Sequence, residues 1–296
     1  LRGLSARLDL AIVSARSGTG DGVHQLRTTA RRLRAALSAH RDELPDRVRR
    51  DLRKRSDALR RAAGPVRDMD VLRATIEGAR FARRDAAGAT RLSATLARRR
   101  LRAQRALEEA LASPRLAGLS RHLTAVAADA RERASPPFAV AAASRLAAAH
   151  GRALSRLAAL PRRAASAPHG VLHAFRIAVK RARYATEALA PAFGRPVERH
   201  LAALAALQDA LGVLQDAHAV GGALAPLVTA SGAGRAQHEA TKRAAATVAR
   251  VLAAKSRAVE RDLDATIEAA CGRAALRDLY AHVAKRASAA VADLRR

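Results

Sequence analysis

The chain has 296 residues, with 55 Lys plus Arg against 26 Asp plus Glu, and a formal net charge of +29 with histidine neutral. Apolar residues make up 49%, enough for a sizeable core, so composition excludes a disordered chain. Alanine and leucine dominate while β-branched and aromatic residues are few, which excludes a mainly β protein and favours helix.

Apolar residues recur at helical spacing almost throughout. Residues 1–17 read as an amphipathic helix rather than a targeting segment, because Asp9 interrupts their short apolar run. A second helix is expected from Val23 to Leu44, stopping before Pro45. A third is expected from Asp46 to Ala63, ending at the helix-stop pair Gly64-Pro65. Asp68 is the expected N-cap of a shorter helix reaching Gly78. Long helices follow over 88–112 and 115–134, separated near Ser113-Pro114, and Ser135-Pro136-Pro137 is the clearest break. Beyond it helices are expected at 138–160, 169–190, 196–211, 214–224, 235–270 and 273–295, with Gly221-Gly222 and residues 231–234 as loops. Successive helices with short connections imply antiparallel bundles. No run of 18 apolar residues occurs, so no membrane span is expected. The lone Cys271 excludes an internal disulfide and a cysteine-based zinc cluster, and a reduced, cytoplasmic setting is the default expectation.

After the break the pattern restarts, and the restart reads as an internal repeat. Val23–Arg34 (VHQLRTTARRLR) aligns with Leu172–Arg183 (LHAFRIAVKRAR) at a constant offset of 149 residues. His24 matches His173, Arg27 matches Arg176, Arg31 matches Lys180, Arg32 matches Arg181 and Arg34 matches Arg183. Downstream, Gly64–Asp70 aligns with Gly212–His218 at an offset of 148, where Gln215 stands in place of Arg67. The economical expectation is one domain over 1–296 built from two units, 1–137 and 138–296.

On a helix, His24, Arg27, Arg31 and Arg34 share one face about 80° wide, while Leu26, Ala30, Leu33 and Leu37 gather on the side that meets a core. His173, Arg176, Lys180 and Arg183 repeat the arrangement opposite Phe175, Val179 and Ala182. No acidic residue lies between His24 and Arg41. Like charges one turn apart cost a few tenths of a kcal/mol per pair. A single stripe of this kind is ordinarily a solvated face; a duplicated one points to an acidic partner. Fifty of the 55 basic residues are Arg, whose planar fork engages two phosphate oxygens at once. The charge is also spread over both halves, with 32 basic and 15 acidic residues in 1–150 and 23 and 11 in 151–296, which suits an extended polyanion.

His169 and His173 stand at i,i+4, but Gly170 occupies the place of a catalytic glutamate and no third ligand is apparent, so no metal site is expected. Asp68 and Asp216 are expected to cap a helix or orient an arginine.

These blocks resemble the CHAD family, the conserved histidine α-helical domain. The resemblance rests on the duplicated His-x-x-Arg-x-x-x-(Arg/Lys)-Arg-x-Arg motif, Leu-Arg-Ala-Ala-Leu after its first copy, and Arg183-Tyr184 with Glu187 after its second. Gly64-Pro-Val-Arg-Asp-Met-Asp-Val71 and the weaker Leu211-Gly212 with Asp216 complete it. It implies an all-α fold of two antiparallel helical bundles related by pseudo-twofold symmetry, with a basic groove or cavity between them. It implies binding of inorganic polyphosphate and association with polyphosphate granules. The implied contacts are His24, Arg27, Arg31, Arg34, His173, Arg176, Lys180 and Arg183, with Arg32, Arg67 and Arg181 as secondary candidates. No Glu-x-Glu-x-Lys motif of a triphosphate-hydrolysing domain is present, and neither a cofactor nor catalysis is expected.

Sequence-independent nucleic-acid binding is the second reading, since it uses the same electrostatics. Six aromatic residues, none of them Trp, leave little for bases to stack on. Phosphoanhydride hydrolysis is the third; phosphoryl transfer wants clustered carboxylates for Mg²⁺ or a P-loop, and neither pattern is present.

Overall fold

A computed structural model of the chain describes residues 1–132, 138–230 and 234–294. These form α1 (Arg2–Arg16), α2 (Gly20–Ala39), α3 (Asp46–Glu77), α4 (Ala86–Ala112) and α5 (Leu119–Glu132), then α6 (Phe138–Leu157), α7 (His169–Leu189), α8 (Arg195–Thr229), α9 (Arg235–Cys271) and α10 (Arg273–Leu294). Single 3-10 turns lie at Arg83–Asp85, Ala164–Ser166 and Ala190–Ala192, and no strand occurs among the described residues.

Two sequence expectations fail in the same way. α3 does not stop at Gly64-Pro65 but runs on to Glu77. Its buried positions Leu52, Leu59, Ala63, Val66 and Asp70 keep helical spacing across the pair. Pro65 faces solvent and forfeits one backbone hydrogen bond, a loss that burial of a continuous apolar face offsets. Asp68 therefore sits inside a helix and caps nothing. Likewise α8 is one helix, not two. Leu204, Leu207 and Leu211 bury before the expected break; Val220, Leu224 and Leu227 bury after it, and Gly221-Gly222 are helical rather than a loop. The second helix is also shorter than expected, ending at Ala39. The expected break at 135–137 and most of the loop at 231–234 lie outside the described residues.

These long helices are what unites the molecule. One cluster packs α1, α2, α5, the first half of α3 and the end of α4 around Leu26, Leu33, Leu59 and Leu107. Another packs α7, the first half of α8 and the end of α9 around Phe175, Leu207 and Leu263. A third draws on the remaining stretches of α3, α4, α8 and α9, through Leu72, Leu92, Leu224 and Val248. A fourth, around Leu146, Phe193 and Val197, joins α6 to α10. By length and mean hydropathy α8 meets the minimum for a membrane-crossing helix; Leu204, Leu207, Leu211, Leu224 and Leu227, however, are buried in two of these protein cores.

Close contacts fix the halves against each other. α2 packs on α7, and α4 packs on α9. At Gly88 the α4 backbone lies so near α9 that a Cβ would overlap the Ala240 carbonyl. Two arginines tie the same join. Arg145 of α6 reaches the Ala39 carbonyl, Asp42 at 2.5 Å and Glu43 at 3.3 Å. Arg243 of α9 bonds the buried Asp85 at 2.7 Å.

Candidate anion-binding site

α2 starts at Gly20 because the Thr19 hydroxyl accepts the Gly22 N–H at 3.2 Å. From there Val23, Leu26, Ala30 and Leu33 turn into the first core, which leaves the flank carrying His24, Arg27 and Arg31 toward α3 and α7. α7 buries Phe175, Val179 and Ala182, so His173, Arg176 and Lys180 lie on the flank between α2 and α8. Because α2 and α7 pack together, the two stripes meet instead of facing opposite exteriors.

The meeting is visible in the electrostatics. Arg31 repels Arg27, Arg176 and Lys180, and with Arg67 it acts on His24. Burial, reinforced by Arg31, Arg176, Arg60 and Arg181, pushes the Lys180 ammonium down to about 8. Burial, then Arg67 and Arg31, lowers the His24 imidazole. The guanidinium groups of Arg27 and Arg176 are shifted down as well, with burial the largest cause. His24 and Asp216 are exposed to solvent.

The expected contacts are not equally free. Arg27 donates to the Gly64 carbonyl at 3.0 Å and pairs with Asp68 at 3.4 Å. Gly64 has no side chain to obstruct it; an added Cβ would lie 3.4 Å from the Arg27 Nη1. Arg34 is held by Asp57 of α3 at 2.6 Å, and Arg32 by Glu187 of α7 at 2.6 Å, so these two tie helices together. Arg183 lies over the ring of its neighbour Tyr184, 5.6 Å from the centroid, and Arg181 is exposed at the margin. Arg31, Arg176 and Lys180 form no ion pair among the described residues, and the buried Nε of Arg176 has no hydrogen-bond partner.

Sequence reasoning missed one member. Arg60 of α3 acts on both Arg27 and Lys180, and its i,i+4 and i,i+7 relation to Gly64 and Arg67 was the available signal. The expectation that Asp68 orients an arginine holds, in its pairing with Arg27. Asp216 lies near Arg176, Arg67 and Asp68, and burial, the leading cause, raises its carboxyl. Gln215 is more than an absent cation: its Oε1 accepts the Nδ1–H of His173. Among the described residues no three His, Cys, Asp or Glu side chains are arranged to hold a metal ion.

An all-helical protein whose packed helices bring two basic stripes together is the class that fold and site define. The sequence matches the CHAD domain family over residues 5–225, and the chain belongs to that family. Its structure is similar to the crystal structure of the CHAD domain from the plant Ricinus communis, with a TM-score of 0.70 and 26% identity, covering 90% of this chain and 87% of that one. It also shares the fold of PptA from Streptomyces chartreusis, with a TM-score of 0.58 and 19% identity, covering 90% and 96%. No curated protein sequence matches the chain.

Proposed function

We propose that this protein binds inorganic polyphosphate without chemically altering it, the chain of phosphates lying in a basic trough where α2, α3, α7 and α8 adjoin. The observation that carries the reading is the cluster of Arg31, Arg176 and Lys180, partly buried and mutually repelling, in which Asp216 acts on Arg176 but no carboxylate among the described residues comes within ion-pair distance of any of the three. Such a cluster opposes its own folding, and a bound polyanion would reverse the sign of that term. In this reading His24, Arg27, Arg31, Arg60, Arg67, His173, Arg176 and Lys180 contact phosphate. Arg32 and Arg34 position helices, and Arg181 and Arg183 lie at the rim. The two stripes descend from a duplicated unit, related by pseudo-twofold symmetry, and binding of this kind would suit association with polyphosphate granules.

Calorimetric titration with orthophosphate, short and long polyphosphate at two salt concentrations tests the proposal. Affinity should rise with chain length and fall steeply with salt, by analogy with the counterion release seen for DNA. Arg27→Glu with Arg176→Glu should abolish binding while helical circular dichroism is retained; undiminished binding would make the stripes ordinary surface. Displacement of long-chain polyphosphate by duplex DNA at equal charge concentration would favour nucleic acid instead. Release of orthophosphate with Mg²⁺ or Mn²⁺ would make the protein a hydrolase.

A further inference from the structure

His169 and His173 sit one turn apart at the start of α7, and α8 contributes a third imidazole beside them. The rings of His169 and His218 stack with centroids 3.5 Å apart and planes 17° from parallel; those of His169 and His173 lie 5.9 Å apart at 27°. The rings meet face to face rather than pointing nitrogens at a common centre, which is not an arrangement for a metal. Since the Gln215 Oε1 can only accept, His173 carries its hydrogen on Nδ1, leaving Nε2 as the nitrogen with the free lone pair. His169 and His218 are exposed, and none of the three forms an ion pair among the described residues.

The charged groups around this stack belong to the site already described. Arg176 follows His173 by one turn on α7; Asp216 precedes His218 on α8, and Arg67 and Asp68 of α3 act on Asp216. Uncharged rings can stack at 3.5 Å, but two imidazolium ions at that separation repel strongly. Asp216 is already engaged by Arg176 and Arg67. A phosphate chain continuing past Arg176 would bring the missing negative charge.

We propose that His169, His173 and His218 form a proton-gated anion subsite, continuous with the cation cluster, that receives further phosphate groups of the same chain once its imidazoles are charged. The inference rests on the polyphosphate reading and assigns to it a regulation by pH. Imidazoles change charge between pH 5 and 8, the range over which the guanidinium groups do not. Binding should therefore take up protons and tighten as pH falls, by up to about tenfold per pH unit for each proton taken up.

The test is calorimetry of the full chain with long-chain polyphosphate at pH 7.5 and 5.5, in two buffers of different ionisation enthalpy. The readout is the ratio of Kd at the two pH values within each protein, with the number of protons bound. Wild type should gain at least about tenfold between pH 7.5 and 5.5. The double variant His169→Asn/His218→Asn should gain about tenfold less and take up about one proton fewer. Both side chains are exposed, so circular dichroism should be unchanged; the single variant His218→Asn should show a partial loss. An identical ratio and proton uptake in the double variant would overturn the inference. So would a gain that vanishes in His24→Asn but persists in the double variant. A wild type that binds no polyphosphate at either pH would instead remove the reading beneath it.

Discussion

If the cation cluster is built for a ligand, it should cost stability in the ligand's absence, and Lys180 allows that cost to be measured. Its ammonium is pushed from its ordinary 10.5 to about 8, first by burial and then by Arg31, Arg176, Arg60 and Arg181. A shift of that size corresponds to about 3 kcal/mol opposing the charged form. Solvent still reaches the side chain, and screening there should reduce the effective figure to about 1–2 kcal/mol. Lys180→Met keeps most of the apolar stem and removes the charge. Urea unfolding at pH 7 should therefore find the variant more stable by about 1–2 kcal/mol, even as its polyphosphate affinity falls. The sign with pH follows from the lowered value. Between about 8 and 10.5 the unfolded chain holds more protons on Lys180 than the folded one does. Wild-type stability should thus rise relative to the variant as pH increases through that window. Near pH 10 the difference between the two proteins should have largely closed. A variant that is less stable at pH 7, or a difference independent of pH, would refute the reasoning.

Two further predictions concern the framework. Gly88→Ala should lower stability by about 1–3 kcal/mol, read as a fall in Tm, because the new methyl meets the Ala240 carbonyl of α9. His150 and His200, both buried, have rings 4.9 Å apart. The His150 Nε2–H donates at 2.9 Å to a Thr186 hydroxyl already committed to the Ala182 carbonyl. Burial holds these imidazoles at about 3 and about 4, far below the usual histidine range. Their stabilising contribution is full above about pH 6.5 and is lost as pH falls toward those values. Acid unfolding should accordingly set in below pH 6.5. His150→Asn/His200→Asn should flatten that dependence, at a cost in stability at pH 7; equal acid sensitivity in both proteins would refute the assignment.

Much of this was legible in one dimension. Composition fixes the all-helical class, because Ala and Leu at helical spacing without β-branched runs leave no strand to form. The matched His24 and His173 blocks mark both stripes, since identical face geometry at an offset of 149 residues needs no structure to be seen. What local signals could not deliver was the continuity of α3 and α8. Gly64-Pro65 and Gly221-Gly222 are stop signals by intrinsic preference, worth a few kcal/mol at most, and burial of Val66, Leu72, Leu224 and Leu227 outweighs them. That energy comes from partners distant in sequence, so no window along the chain contains it.

The same reason separates a stripe from a site. The sequence sets out Arg27, Arg31 and Arg34 as equals on one face, with Arg32 as a secondary candidate. Only tertiary packing commits Arg32 to Glu187, Arg34 to Asp57 and Arg27 to Gly64 and Asp68. Arg31 is left facing Arg176 and Lys180, and Arg60 and Gln215 arrive beside them from helices far along the chain. Periodicity decides which side of a helix a charge occupies; whether that charge meets a carboxylate, another cation or open water is decided by the helix packed against it.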